Sequence, residues 1–179
     1  PLPNIIHNRR VVIAQSYFEN YLSHFDFNFL FTKGDDNFRH HIQDMGVLYL
    51  YQMPLIIFGL YNLLKNNSKN SIFLLLVLLI APLAAAPAHP TPHANRALTM
   101  VIPFQIISAY GFILLFSKIQ KFKSIVFLAL TTFALISFII YLHNYFLHYN
   151  IQKATFWQYG YDKAVRVSEQ NKEKYDKVL

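Results

Sequence analysis

The chain has 179 residues, of which 54% are hydrophobic and only 14% charged, with a formal charge of +7 and no cysteine. Without cysteine there is no disulfide framework, thiolate nucleophile or thiolate metal site. The lysines and arginines fall in short loops and in the two tails, with no basic stripe interleaved with aromatics, which excludes a nucleic-acid surface and leaves anionic lipid headgroups as the partner for that charge.

Residues 1–44 are polar and mixed in charge and lack the apolar stretch of a cleavable signal peptide. The chain begins Pro1-Leu2-Pro3 without Met and reads as a piece of a longer polypeptide whose N-terminal part is missing. From Val11 to Phe25, apolar residues recur at Ile13, Ala14, Tyr17, Phe18, Tyr21, Leu22 and Phe25, the spacing of one helix face. Such an aromatic-rich helix fits the membrane interface, or a missing soluble domain. Phe27, Phe29 and Phe31 then alternate with Asn28 and Leu30, which predicts an extended segment leading into the turn Lys33-Gly34-Asp35-Asp36.

No carboxylate occurs between Asp44 and Asp162, and uncharged runs cover 45–64, 70–95, 97–117 and 124–152. Each is long enough to supply the roughly 20 apolar residues that a helix needs to cross hydrocarbon. The expected spans are 45–64, 71–88, 92–116 and 124–146, forming a four-span domain over 45–146. Lys65 and Lys69 lie in the first link, Lys118, Lys121 and Lys123 in the third, and only Arg96 in the middle one. The positive-inside bias puts the lysine loops in the cytoplasm and the middle loop and both tails outside the plasma membrane. After the aromatic exit Tyr141–Tyr149, residues 147–179 read as the start of a truncated soluble α/β lobe, with a helix over 162–174 and a strand over 175–179. The expected fold is all-α in the membrane, with an N-terminal interfacial helix and that lobe.

Two polar clusters could carry chemistry. In the middle loop, Thr91-Pro92 suits the start of a helix. His93 and Arg96 would share its first turn, with His89 just upstream, as a seat for a phosphate. Plain capping with Arg96 snorkelling to headgroups fits the same residues. Before the first span, Asp35, Asp36, Arg39, His40 and His41 could act as a base or contact an anion, or simply form a polar turn held by Asp–Arg pairing. Neighbouring histidines point in different directions, so no metal and no cofactor are expected.

The runs Tyr21-Leu22-Ser23-His24-Phe25, Phe29-Leu30-Phe31, Gly34-Asp35, Arg39-His40-His41 and Gly46-Val47-Leu48-Tyr49 resemble those of bacterial integral-membrane glycosyltransferases of the GT-C class. These are the family 39 proteins related to protein O-mannosyltransferases and the lipid A aminoarabinose transferase. Pro92-His93-Ala94-Asn95-Arg96-Ala97-Leu98 is similar to a Pro-His-x-x-Arg loop of the same proteins, as is Trp157-Gln158-Tyr159-Gly160-Tyr161 with Lys163-Ala164-Val165. The resemblance implies the C-terminal portion of an enzyme that moves a sugar from a polyprenyl-phosphate carrier to an acceptor on the outer face. The family's catalytic acidic loop lies in a part that this chain lacks, so no catalytic residue is carried over. A non-enzymatic scaffold or a transporter subunit is the alternative, and the midsections of the spans, which offer only Thr, Ser, Gln and Tyr, speak against a transporter.

Overall fold

The structure is a computed structural model that describes residues 8–42, 44–66, 68–172 and 174. Helix α1 (Arg9–Ser23) starts at Asn8, whose side-chain oxygen accepts the Arg10 N–H at 3.0 Å. Its tyrosines tie it down: Tyr17 donates to the Leu83 carbonyl at 2.7 Å and Tyr21 to the Leu79 carbonyl at 2.8 Å. Val11, Val12, Ile13, Phe18 and Leu22 stay exposed on the same helix. The segment after α1 is not extended as its alternation predicts. Asn28–Thr32 is a π-helical turn, in which the Lys33 and Gly34 N–H groups both reach the Asn28 carbonyl. Phe27 and Phe31 meet across it, at 5.5 Å between ring centroids. Three alternating aromatics are too short a pattern to separate a strand from a tight helical turn.

Four apolar helices follow: α2 (Gln52–Asn66), α3 (Lys69–Ile80), α4 (Val101–Lys118) and α5 (Lys123–His143). Among the described residues, only two helical stretches are long and apolar enough to cross a membrane, Leu98–Lys118 with 21 residues and Gln120–Gln152 with 33. The expectation of four spans is thereby corrected. Helix α2 has 15 residues and α3 has 12, about 22 Å and 18 Å at 1.5 Å per residue, against roughly 30 Å of hydrocarbon. Hydropathy runs straight through the prolines that shorten them. Pro54 fits only the first turn of α2, and Pro82, fully buried, follows directly on the end of α3.

The expected soluble lobe is corrected as well. Among the described residues there is no strand, and 161–171 forms an exposed helix, α6 (Tyr161–Asn171). The strand expected over 175–179 lies outside the described residues. The described fold is all-α.

Helix α2 packs on α4 at a close crossing. A Cβ at Gly59 would strike the Ile107 carbonyl oxygen, and one at Gly111 would strike the Leu55 carbonyl oxygen. Small residues that let backbones approach this closely are how helices associate where water gives no hydrophobic drive. Gln52, buried at the head of α2, adds a hydrogen bond to Gln105 at 2.7 Å. Around the crossing, Ile56, Leu63, Leu78, Met100, Phe104 and Ile107 form the core with Phe29, Leu30 and Leu48.

Helix α5 buries no residue at all. A long apolar helix with no fully buried residue calls for lipid as its solvent. The molecule has the character of an integral membrane protein. The helical run Gln120–Gln152 spans about 50 Å, so it outlasts the bilayer and carries Tyr145 and Tyr149 past its surface.

Candidate functional site

The site begins at Gly34, whose φ of 74° is a left-handed conformation that a Cβ would strain, and where a Cβ would also sit 2.9 Å from the Met45 carbonyl. This turn drives Asp35 inward until its side chain is fully buried. Its Oδ1 accepts the Asn37 N–H at 2.8 Å, and its Oδ2 accepts the Ala94 N–H at 2.7 Å and His40 Nδ1 at 2.9 Å. A buried carboxylate is tolerable only with such a set of donors. One side chain thus joins the loop before α2 to the loop before α4.

A second joint lies beside it. His24, fully buried, places Nδ1 2.8 Å from the Asn20 carbonyl and Nε2 3.1 Å from the His93 backbone nitrogen. The carbonyl can only accept and the backbone N–H can only donate, so the ring is neutral with its proton on Nδ1. Burial lowers the His24 pKa below the ordinary 6.5, which agrees with that tautomer. The two joints occupy the N–H groups of His93 and Ala94, so neither is free to donate to a phosphate. Thr91-Pro92 caps no helix. Both His89-Pro90 and Thr91-Pro92 are cis, and helical structure begins only at Leu98. The expected phosphate seat on a helix N-terminus is not formed.

Between these loops and the C-terminal end of α5 lies a cavity of about 530 Å³, within the 300–1,000 Å³ range of small-molecule sites. Arg39, His40, His41 and Asn95 supply its polar wall, and Tyr49, Tyr141, Tyr145, Tyr149 and Trp157 its aromatic one. No carboxylate lines it among the described residues. The Tyr49 phenol is pushed up by burial and by Tyr141 and Tyr51, so it stays a neutral hydroxyl.

The segment after α5 closes over the polar wall. Tyr149 donates to the Phe38 carbonyl at 3.0 Å and accepts the Trp157 indole N–H at 2.8 Å. Arg39 Nε donates to the Phe156 carbonyl at 2.6 Å, and the Lys153 ammonium lies 3.4 Å from the Phe38 ring centroid. The Arg39 guanidinium is therefore held at Nε, while its two NH2 groups make no hydrogen bond among the described residues.

Of the residues singled out from sequence, the structure brings together Asp35, His40 and His93 in the buried joint, and Arg39, His40 and His41 on the cavity wall. Asp36, His89 and Arg96 are exposed and line no part of the cavity. The arginine on the cavity wall is Arg39. His24 escaped notice because it sits inside an apolar stripe. Tyr141, Tyr145 and Tyr149 were visible only as an aromatic belt, although their four-residue spacing already puts them on one helix face. Comparison with protein families, characterised proteins and solved structures found no match to this chain.

Proposed function

We propose that the cavity binds a polyprenyl-phosphate-linked sugar, and that the chain is the C-terminal, donor-binding portion of a membrane glycosyltransferase acting on the extracytoplasmic face. The observation that carries this reading is the cavity's lining, which places Arg39, His40 and His41 opposite five aromatic side chains with no acid among them. Arg39 and His41 suit a phosphate, which accepts charge-assisted hydrogen bonds best from a planar guanidinium. The tyrosines and Trp157 suit the C–H faces of a sugar, and their hydroxyls its oxygens. The exposed apolar face of α5 leads directly to this wall and suits the prenyl chain.

In such a transfer the bond between the anomeric carbon and the phosphate oxygen breaks. A bond to an acceptor hydroxyl oxygen forms, and the hydroxyl proton leaves to a base. Arg39 would stabilise the charge that grows on the departing phosphate, an electrostatic contribution fixed in advance by its bond to Phe156. The motifs that resemble GT-C enzymes supply the sugar-transfer identity, and the base belongs to the acidic loop that the resemblance places upstream. A bare assembly scaffold would have no use for an acid-free, aromatic-walled cavity.

The orientation follows from charge. Lys118, Lys121 and Lys123 lie between the two long helices and Lys65 and Lys69 at the α2–α3 tip, all remote from the cavity end. These belong in the cytoplasm.

The test is a titration of farnesyl phosphate, a short-chain probe, into the detergent-solubilised chain, followed by Trp157 fluorescence. Wild type is expected to bind saturably, and Arg39→Ala about tenfold or more weakly, the loss of one charge-assisted contact. Equal affinity in the two proteins would remove the phosphate from the cavity.

A further inference from the structure

One polar atom in the joint has no partner. His93 Nδ1 is buried and makes no hydrogen bond among the described residues. It lies 3.9 Å from Asp35 Oδ2, with which His40 Nδ1 is already in contact at 2.9 Å, and the two imidazole rings are 4.7 Å apart. Buried polar atoms are rarely left without a partner, and an orphan one calls for a bound water or ion.

We propose that Asp35, His40 and His93 bind a divalent first-row transition ion, with zinc the best fit. The three ligand atoms lie within 4.8 Å of one another. An ion held tetrahedrally at about 2.0–2.1 Å from each ligand requires ligands about 3.4 Å apart. The two distances to Asp35, 2.9 and 3.9 Å, bracket that spacing, and the third, between the two histidines, lies within 4.8 Å, so closing the set requires the imidazoles to draw together by at most about 1.4 Å. Two imidazole nitrogens and one carboxylate oxygen favour zinc over magnesium or calcium, which take oxygen ligands.

The surroundings fit a metal ligand set. Asp35 Oδ1 is fixed by the Asn37 N–H and Oδ2 by the Ala94 N–H, the kind of outer hydrogen bonds that hold a ligating carboxylate. Binding requires the proton between His40 Nδ1 and Asp35 Oδ2 to move to His40 Nε2, the other tautomer of the neutral ring, so one N–H···O bond is exchanged for two metal–ligand bonds. The orphan His93 Nδ1 gains its partner in the same step. His40 and Ala94 both line the cavity, so the ion sits in the cavity wall and clamps the loop before α2 to the loop before α4. The neighbouring pair His40-His41 cannot do this alone, because His41 Nδ1 turns away to the Asn37 carbonyl at 3.2 Å.

The experiment uses the full chain in detergent, loaded with Zn2+ and, in parallel, with Co2+ as a spectroscopic stand-in. Wild type is expected to retain about one ion per chain after dialysis and to give the intense visible bands of tetrahedral Co2+. His93→Gln keeps the side-chain volume and is expected to lower affinity at least about 100-fold, the upper end of what losing an outer partner costs. His143→Ala removes the other close histidine pair, His143 and His148 with Nε2 atoms 3.0 Å apart and exposed, and should change nothing. Binding that follows His143 instead of His93 would overturn the site. So would a wild-type chain that takes up no stoichiometric Co2+ or gives only weak octahedral bands, a result that holds even if His93→Gln does not fold. None of these outcomes depends on the sugar-donor reading.

Discussion

Replacing Gly111 by valine is expected to part α2 from α4 and to destabilise the protein by about 3 kcal/mol, the upper end for overpacking. A Cβ at this position has nowhere to go, because the Leu55 carbonyl and the Gly59 nitrogen occupy its place, and both are helix backbone. Flexible side chains could yield, but two helices can only move apart. Separation would also break the Gln52–Gln105 bond and uncover Ile107, which is completely buried. Thermal unfolding in detergent should show a lower midpoint and size-exclusion chromatography a loss of monodispersity, with insertion into membranes intact because valine is more apolar than glycine. Serine at Gly111 should be milder, since it adds less bulk. A Gly111→Val protein as stable as wild type would mean that the two helices do not cross here.

Asp35→Ala is expected to cost more, about 3–5 kcal/mol, because it strips the acceptor from a buried set of donors. The Asn37 and Ala94 N–H groups and His40 Nδ1 would each lose a partner at once, around a side chain that is fully buried. Asp35→Asn preserves the shape and one acceptor oxygen but aims an NH2 group at a donor. Its loss should be smaller, about 1–3 kcal/mol. Unfolding midpoints in the order wild type, Asn, Ala are the expected result. An alanine variant with the wild-type midpoint would show that Asp35 does not join the two loops.

The helices were legible to the degree that composition controls them. The absence of carboxylates between Asp44 and Asp162 marked the apolar region, and the predicted 124–146 falls inside the helical run Gln120–Gln152. The face through Tyr17 and Tyr21 marked α1. What hydropathy cannot register is where a helix stops. Pro54 and Pro82 are neutral to a hydropathy count, yet they set how much of 45–64 and 71–88 can be helical. The extended segment expected from Phe27, Phe29 and Phe31 failed for a related reason, since the Asn28 carbonyl offers Lys33 and Gly34 a closed turn.

The site was legible as a list of residues and illegible as an arrangement. Asp35, Arg39, His40, His41 and His93 were all singled out, but sequence spacing paired His93 with Arg96 on a helix that does not exist. The actual partners of the His93-Ala94 backbone are His24 and Asp35, which lie far away in sequence. A short-range pattern cannot contain that information. The orphan His93 nitrogen likewise becomes visible only once two loops are brought together.

The proposed donor site opens at the outer surface of a membrane in which the two long helices are embedded. The chain contains no cysteine, so single-cysteine variants report without background. His89→Cys and Lys121→Cys, both at exposed positions, can be treated in intact cells with a membrane-impermeant maleimide. Labelling of His89→Cys from outside, with Lys121→Cys labelled only after lysis and both proteins in the membrane fraction, is the result this account predicts. The reverse pattern, or recovery of either protein from the aqueous fraction without detergent, would contradict it.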